Sequence, residues 1–475
     1  MGPALASSPR TLLLPIAVLI LVGGGLRLLA SERAKPVRLR GDEVYYLSVA
    51  QEISAGRGHV RPSPRNEHAR RPPAFPWLLS LFADRRGSAP EAELESLGEE
   101  LLPVQLVLGT ALVVLTFLLG RALFDARVGF LAGLLAAIDP TLVAFSHYFW
   151  SETLFTVLVT GALIGVVLVR RSGSWVACAA AGLLFGAAAL TREVALPIAA
   201  ACAVWQLATI APGAPSARRA AAERGALMLA LAVAVVLPWT WRNHNVLHRL
   251  VPVSTVGWFA SAEGNTFDPA DWFHGTPDVT GFRAAYRTAG DEMQRTDFAR
   301  RYALERIAAE QPAWIFKKLL RNTALLLSPD SYLLLKLREG LYGPVPLAEA
   351  RTLVAATVLL YVLAFVLGVI GIASAEGADR RWLPLLLFGV VLAIHVLSNS
   401  VSRFRLPWMP LLLVYASSAA LDLPRSLRRM SWKAWAVAGA VLIYFLAVCV
   451  PYDRENLART WYGAIEATGP ETGGG

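Results

Sequence analysis

Long apolar blocks constrain this chain more than any other feature. Runs rich in Leu, Ala and Val recur at roughly 11–30, 103–123, 128–147, 152–170, 175–190, 194–211, 225–241, 351–373, 382–399, 406–422 and 432–450. Most are about 17–25 residues long, enough for a helix to cross a hydrocarbon core of about 30 Å. A backbone in lipid must satisfy its own hydrogen bonds, and runs of this length do so as helices. The chain therefore reads as all-α, a polytopic membrane protein of about eleven transmembrane helices. Composition agrees: the 475 residues are 55% hydrophobic and only 17% charged, against about 25% charged in soluble domains.

Charge in the short loops orients the bundle. Basic residues gather at Arg121/Arg127, Arg170/Arg171, Arg218/Arg219/Arg224, Arg380/Arg381 and Arg425/Arg428/Arg429/Lys433. With the N-terminus inside, all of these groups fall on the cytoplasmic face, as the bias of short loops requires. The net charge of +10 is thus first a topology signal. No interleaved basic-aromatic surface suggests a nucleic-acid partner. Arg10 followed by an apolar run resembles a signal peptide. The run continues to Ala30, broken only by Arg27, and reads as an uncleaved first helix. Cys178, Cys202 and Cys449 fall inside apolar blocks and read as small buried hydrophobes. No CxxC or Cys/His metal spacing is present.

The other segments, 31–102, 148–151, 191–193, 242–350, 400–405 and the tail 451–475, fall on the opposite face. The first of these carries Arg33, Lys35, Arg38, Arg40, Arg57, Arg61, Arg65, Arg70 and Arg71. Long loops are largely exempt from the charge rule, and an anionic ligand or lipid headgroup would account for the excess. Within it, 42–54 reads as a helix with Asp42 as N-cap and Gly56 at C′. Val44, Leu47, Ile53 and the tyrosines of this helix suit a membrane surface. A second short helix is expected near 71–77, with Trp77-Leu78-Leu79 touching lipid, then a loose loop over 83–100. The 242–350 segment begins as loop and continues at 291–325 as an amphipathic helix pair broken at Pro312. The tail, ending in Gly-Gly-Gly, is expected to be partly disordered.

Charged motifs gather on that same outer face: Asp42-Glu43, Ser151-Glu152-Thr153, Thr191-Arg192-Glu193, Trp239-Thr240-Trp241-Arg242-Asn243 and Ser402-Arg403-Phe404-Arg405. Each has a plain alternative. Asp42 would cap a helix, Glu152 would sit favourably at a helix start, and Arg192 would pair with Glu193. Trp239 and Trp241 fit an interfacial belt, and Arg403 and Arg405 fit headgroup anchors. His244 and His248 lack a third ligand, and His147 and His395 stand alone. Convergence is what raises the site reading. Carboxylates and arginines from separate segments on one face suit transfer from an anionic lipid. Guanidinium groups would hold the phosphate and stabilise it as it leaves. A carboxylate would take the acceptor's hydroxyl proton, and one base with a good leaving group implies a single inverting displacement. No P-loop or dinucleotide fingerprint is present.

The motifs, in order, resemble the GT-C superfamily of polyprenyl-phosphate-sugar-dependent glycosyltransferases, and within it the bacterial branch of protein O-mannosyltransferases, aminoarabinose transferases and RgtA-like core transferases. The resemblance runs over about 10–420. It is carried by Gly41-Asp42-Glu43-Val44-Tyr45-Tyr46, Arg71-Pro72-Pro73-Ala74-Phe75-Pro76, Pro140 with Ser151-Glu152-Thr153-Leu154-Phe155, and Leu190-Thr191-Arg192. Pro238-Trp239-Thr240-Trp241-Arg242-Asn243, Gly264-Asn265 and Arg403-Phe404-Arg405-Leu406-Pro407 complete it. Glu193 departs from a common Pro, Ala74 departs from a common Gly, and the long soluble C-terminal domain of some branches is absent.

The resemblance implies a GT-C transmembrane catalytic domain over 1–450 that moves a sugar from a polyprenyl-phosphate donor to a lipid-glycan, cell-wall or protein acceptor. Asp42 would be the base with Glu43 beside it. Tyr45, Tyr46, Arg71, Glu152, Arg192, Arg242, Asn243, Asn265, Arg403 and Arg405 would contact substrate. A divalent cation, if used, would draw on Asp42, Glu43 and Glu152. The Ala/Arg/Leu-rich composition suits a bacterial inner membrane with the site outside. The competing reading is a transporter or flippase of lipid-linked sugars, which would place charge near the membrane midplane and show repeat symmetry.

Overall fold

Each apolar block becomes a helix. A computed structural model of the chain describes residues 9–33, 39–62, 66–83, 91–210, 214–267, 271–274 and 279–463. Lys35, Arg38, Arg65 and the end of the tail lie outside the described residues. Helix α1 (Pro9–Arg33) is followed by the short α2 (Asp42–Ser54) and α3 (Ala74–Ser80), then α4 (Glu91–Leu123), α5 (Ala126–Ile138) and α6 (Pro140–Ala144). Next come α7 (Glu152–Ser172), α8 (Trp175–Ala189), α9 (Ala195–Ala208) and α10 (Pro215–Leu247). The second large outer segment folds as α11 (Val256–Gly264), α12 (Val279–Thr288), α13 (Glu292–Ala309), α14 (Trp314–Leu327) and α15 (Tyr332–Arg338). The chain returns through α16 (Leu347–Ser374), α17 (Ala378–Leu397), a 3₁₀ turn (Ser402–Trp408) and α18 (Met409–Leu421). It closes with α19 (Leu423–Arg429), α20 (Trp432–Tyr444), α21 (Val450–Tyr452) and α22 (Arg454–Trp461).

All eleven expected spans are helical, but they are not alike. Among the described residues, 8 helical stretches are long and apolar enough to cross a membrane. The other three, Ala126–Ile138, Trp175–Ala189 and Ala195–Ala208, are shorter apolar helices. The count of eleven full spans is therefore not reached by length. The short helices lie inside the bundle, where protein rather than lipid surrounds much of their length. Helix α7 is central: 72% of its span window is buried, against 17% for the windows of α1 and α20. One core packs α7–α10 with α17 and α18, and a second packs α1, α4, α5, α16, α18 and α20.

The ends of the helices sort by charge as the loops demand. At one end Arg171 donates to the Leu123 carbonyl, Arg170 to Thr209, and the Trp205 indole to Asp379. Arg380 stacks over Phe124, Arg224 over Trp175, and Arg429 pairs with Glu376. The five basic groups expected on one face thus include members from four loops that meet side by side. Arg27, the single charge inside α1, is fully buried. It donates to Ser146 Oγ at 2.9 Å and to the carbonyls of Gly23, Ala136 and Ala137, pinning α1 to the corner where α5 ends.

Several outer segments are more ordered than the sequence suggests. Part of the expected loose loop at 83–100 is the start of α4, because Leu94 and Leu97 pack beneath α2. The stretch read as loop before 291 holds α11 and α12, whose Ala262, Phe282 and Tyr286 close over Ala299 and Ala303 of α13. The tail contains α22, locked by Arg338 to Thr460 Oγ1 at 3.0 Å. Helices α13 and α14 separate around Pro312 as expected. Helix α14 turns Ile315, Phe316, Leu319 and Leu320 outward and buries Lys318 and Arg321. That inversion suits an outward face against lipid.

Candidate active site

Helix α2 is the piece that brings acid to the site. Gly41 enters it with φ 58, a backbone setting that glycine adopts without steric cost. Asp42 therefore sits at the first helical position, one residue later than the N-cap role expected, and no side chain caps the helix. The helix does not lie on the membrane surface. Tyr45, Tyr46 and Leu47 are buried with Phe75, Leu79, Leu101 and Phe149, because α3 and the head of α4 offer a closer apolar partner than lipid. Of Trp77-Leu78-Leu79, expected to touch lipid, Trp77 is exposed but Leu79 is buried and Leu78 packs against the same core; Leu81 and Phe82, just beyond α3, are exposed instead.

Asp42 lies between two arginines. Arg71 Nη2 donates to Oδ1, and Arg403 Nη1 reaches Oδ2 at 3.2 Å. Arg403 Nε then meets Glu152 Oε1 at 3.5 Å, and Arg192 Nη1 meets the same oxygen at 2.7 Å. The result is an alternating chain, Arg71–Asp42–Arg403–Glu152–Arg192, assembled from five separate segments. Tyr46 borders it and donates to Ser151 Oγ at 3.2 Å. Burial alone would push the Asp42 carboxyl up, but Arg71 and Arg403 outweigh it and hold the carboxyl at about 2. Three guanidiniums share the two carboxylates of this chain, and guanidinium N–H donors suit an anion.

This alternating chain lies at the head of a cavity of about 1260 Å³, open mouth included; Asp42 adjoins it through Arg71 and Arg403. Arg71, Glu152, Arg192 and Arg403 line its polar end. From Glu152, Phe155, Val159 and Leu163 descend one face of α7, met by Ile198 of α9, Leu387 and Val391 of α17 and Leu411 of α18. The eleven helical rises from 152 to 163 make this apolar slot about 16 Å deep. A charged head above an apolar slot fits an amphiphile that carries an anion at the interface and hydrocarbon below.

Six other expected residues join neither this cluster nor the cavity lining. Glu43 is fully buried and accepts from the backbone N–H of Phe149 at 3.2 Å and Arg40 at 3.4 Å. Burial raises its carboxyl to about 7 against the opposing pull of Lys336 and those N–H groups. Tyr45 packs in the same core with Arg61 over its ring. Arg242 donates to the carbonyls of His59 and His68 at 2.8 Å each. Asn243 ties Val251 and Val253 at 3.1 and 3.2 Å. Asn265 accepts from the Trp314 indole at 2.8 Å, and Arg405 lies 3.9 Å over the Tyr361 ring. These side chains brace the outer segments.

Gly264 braces differently: a Cβ there would run into the Ser398 carbonyl, which Lys318 also binds at 2.8 Å. Both fix the wall that carries His395, Ser398 and Asn399. His395 was unremarkable in sequence as an isolated histidine; only the fold brings it to the cavity. Among the described residues no three His, Cys, Asp or Glu side chains come close enough to hold a metal ion. Arginines pair with Asp42 and Glu152, and backbone N–H groups with Glu43.

Residues 70–241 match the family model described as dolichyl-phosphate-mannose-protein mannosyltransferase. That segment carries Arg71, Glu152 and Arg192. The crystal structure of the oligosaccharyltransferase of Archaeoglobus fulgidus in its apo form aligns with a TM-score of 0.54 at 17% identity, over 97% of this chain and 56% of that one. The same enzyme, AglB, with an inhibitory peptide and a dolichol-phosphate aligns with a TM-score of 0.51 at 17% identity, again over 97% and 56%. The chain has the GT-C fold. It spans little more than half the length of these archaeal proteins. No curated protein sequence matches it.

Proposed function

We propose that the protein is a membrane glycosyltransferase that transfers a sugar from a polyprenyl-phosphate donor to an acceptor hydroxyl. The observation that carries this reading is the joining of the Arg71–Asp42–Arg403–Glu152–Arg192 chain to an apolar slot between α7, α9, α17 and α18. The polyprenyl chain would lie in the slot, and its phosphate would meet the guanidiniums. The family match over 70–241 and the dolichol-phosphate bound by a protein of the same fold support the donor class. The residues read in sequence that reach this cluster, Asp42, Tyr46, Arg71, Glu152, Arg192 and Arg403, make up the proposed site.

Without donor, Arg71 and Arg403 neutralise Asp42 and keep it a weak base. An incoming phosphate competes for both guanidiniums and raises the basicity of the carboxylate they release. Asp42 then takes the proton of the acceptor hydroxyl. The acceptor oxygen bonds to the anomeric carbon, and the carbon–phosphate oxygen bond breaks with its electron pair on the phosphate. The arginines stabilise that charge, the polyprenyl phosphate departs, and a single displacement inverts the anomeric centre. The bundle sits in a bacterial inner membrane, with the basic helix ends cytoplasmic and the site outside.

The test is a transfer assay with purified protein and a panel of polyprenyl-phosphate sugars, scored by release of polyprenyl phosphate and glycosylation of the acceptor. Release coupled to an inverted glycosidic product is expected. Movement of the intact lipid-linked sugar across proteoliposomes, without release, would identify a transporter instead.

A further inference from the structure

The cavity has a second polar wall of opposite chemistry. Its cations donate hydrogen bonds, whereas Glu193 and His395 accept them. Glu193 lies just before α9, and its Oε1 takes both the backbone N–H of Ser254 at 2.8 Å and the Ser254 hydroxyl at 2.6 Å. Its Oε2 lies beside Gly257, another cavity-lining residue. Among the described residues no protein donor reaches that oxygen. His395 stacks on Phe404 at 4.7 Å with an interplanar angle of 11°. Its Nδ1 lies 3.0 Å from the Asn399 carbonyl. A carbonyl only accepts, so Nδ1 carries the proton and Nε2 presents a lone pair. No protein donor among the described residues reaches Nε2, and both residues line the cavity.

The phosphodiester of a lipid-phosphate sugar offers acceptors alone and cannot satisfy this wall. A sugar offers several O–H donors and can. We infer that Glu193 Oε2 and Nε2 of His395 form a sugar-hydroxyl subsite, so that the cavity reads phosphate with its arginines and the sugar with these two acceptors. The inference rests on the glycosyltransferase reading above and adds the residues that recognise the glycosyl group. A plain alternative makes Glu193 only a strut for Ser254 and His395 only a packing partner of Phe404.

Two conservative variants separate these. Glu193→Gln keeps an acceptor oxygen for Ser254 and replaces the cavity-facing oxygen with a donor. His395→Asn keeps a donor near the Nδ1 position and deletes Nε2. Binding to purified full-length protein is measured for a bare polyprenyl phosphate and for its glucosyl and mannosyl derivatives. The wild type is expected to prefer at least one glycosylated ligand by roughly tenfold or more. Each variant is expected to bind the bare phosphate within about twofold of wild type and to lose about three- to tenfold or more of that preference. Equal weakening of bare and glycosylated ligands would make both residues structural and overturn the inference, as would an unchanged preference in the variants or none in the wild type. Binding of neither ligand class by the wild type would overturn the glycosyltransferase reading, and this subsite with it.

Discussion

Arg403 is the residue on which the cluster turns, because among the described residues it alone contacts both carboxylates, Asp42 and Glu152. A lysine is a point charge and cannot fork between them. Arg403→Lys should therefore lower kcat/KM about 10–100-fold and Arg403→Ala about 100–1000-fold, measured by donor-dependent transfer. Glu43 makes a contrasting prediction. Its folded carboxyl, at about 7, lies above the unfolded value. The folded state therefore binds the extra proton. The resulting stabilisation is full below about pH 4.5 and is lost as pH rises towards 7, amounting to about 3 kcal/mol. Glu43→Gln should flatten this dependence in thermal unfolding between pH 5 and 8 while transfer continues. The sequence places Asp42 and Glu43 together as a reactive pair, yet neighbouring helix positions point about 100° apart. One reaches the arginines and the other enters the core. Arg242, Asn243 and Asn265 meet backbone carbonyls and the Trp314 indole: a motif marks a residue as special without saying whether its partner is substrate or protein.

At the scale of elements, long periodic blocks were the most legible part of the chain, and every one is a helix. Their inner packing was less so, because apolar composition does not reveal which faces meet. Arg27 illustrates this. In sequence it only interrupts an apolar run; in the fold its guanidinium satisfies Ser146 and the carbonyls where α5 ends. Arg27→Met should take this donor from the Ala136 and Ala137 carbonyls and from Ser146 Oγ and cost about 2–4 kcal/mol, seen as a lowered midpoint of thermal unfolding in detergent with the membrane topology retained. Helices α11 and α12 were hidden because their stability comes from tertiary contact between Phe282, Tyr286 and α13 rather than from local periodicity. The same holds for the head of α4, where an acidic, polar stretch is helical because Leu94 and Leu97 pack beneath α2.

Across the whole molecule the basic helix ends gather at one pole, and the arginine–carboxylate chain lies at the other. With native cysteines replaced, Asn66→Cys should react with an impermeant thiol reagent added from outside, whereas Ser172→Cys at the end of α7 should react only after the inner face is opened. The reverse pattern would invert the protein in its membrane. In the proposed reading the cavity ties this topology to chemistry, with hydrocarbon in the apolar slot and the head group among the arginines. Motif order in the sequence points to Arg71, Glu152, Arg192 and Arg403, which line the cavity. It does not point to the acceptor wall at Glu193 and His395, because a lone histidine gains meaning only from the surface it faces. The central claim is that Asp42 accepts the acceptor's proton once phosphate has drawn its arginines away. Single-turnover transfer by Asp42→Asn tests this most directly. The account predicts a rate about 100–10,000-fold below wild type, with donor binding unchanged or tighter because Asn frees Arg71 and Arg403. Transfer by Asp42→Asn at the wild-type rate would contradict it.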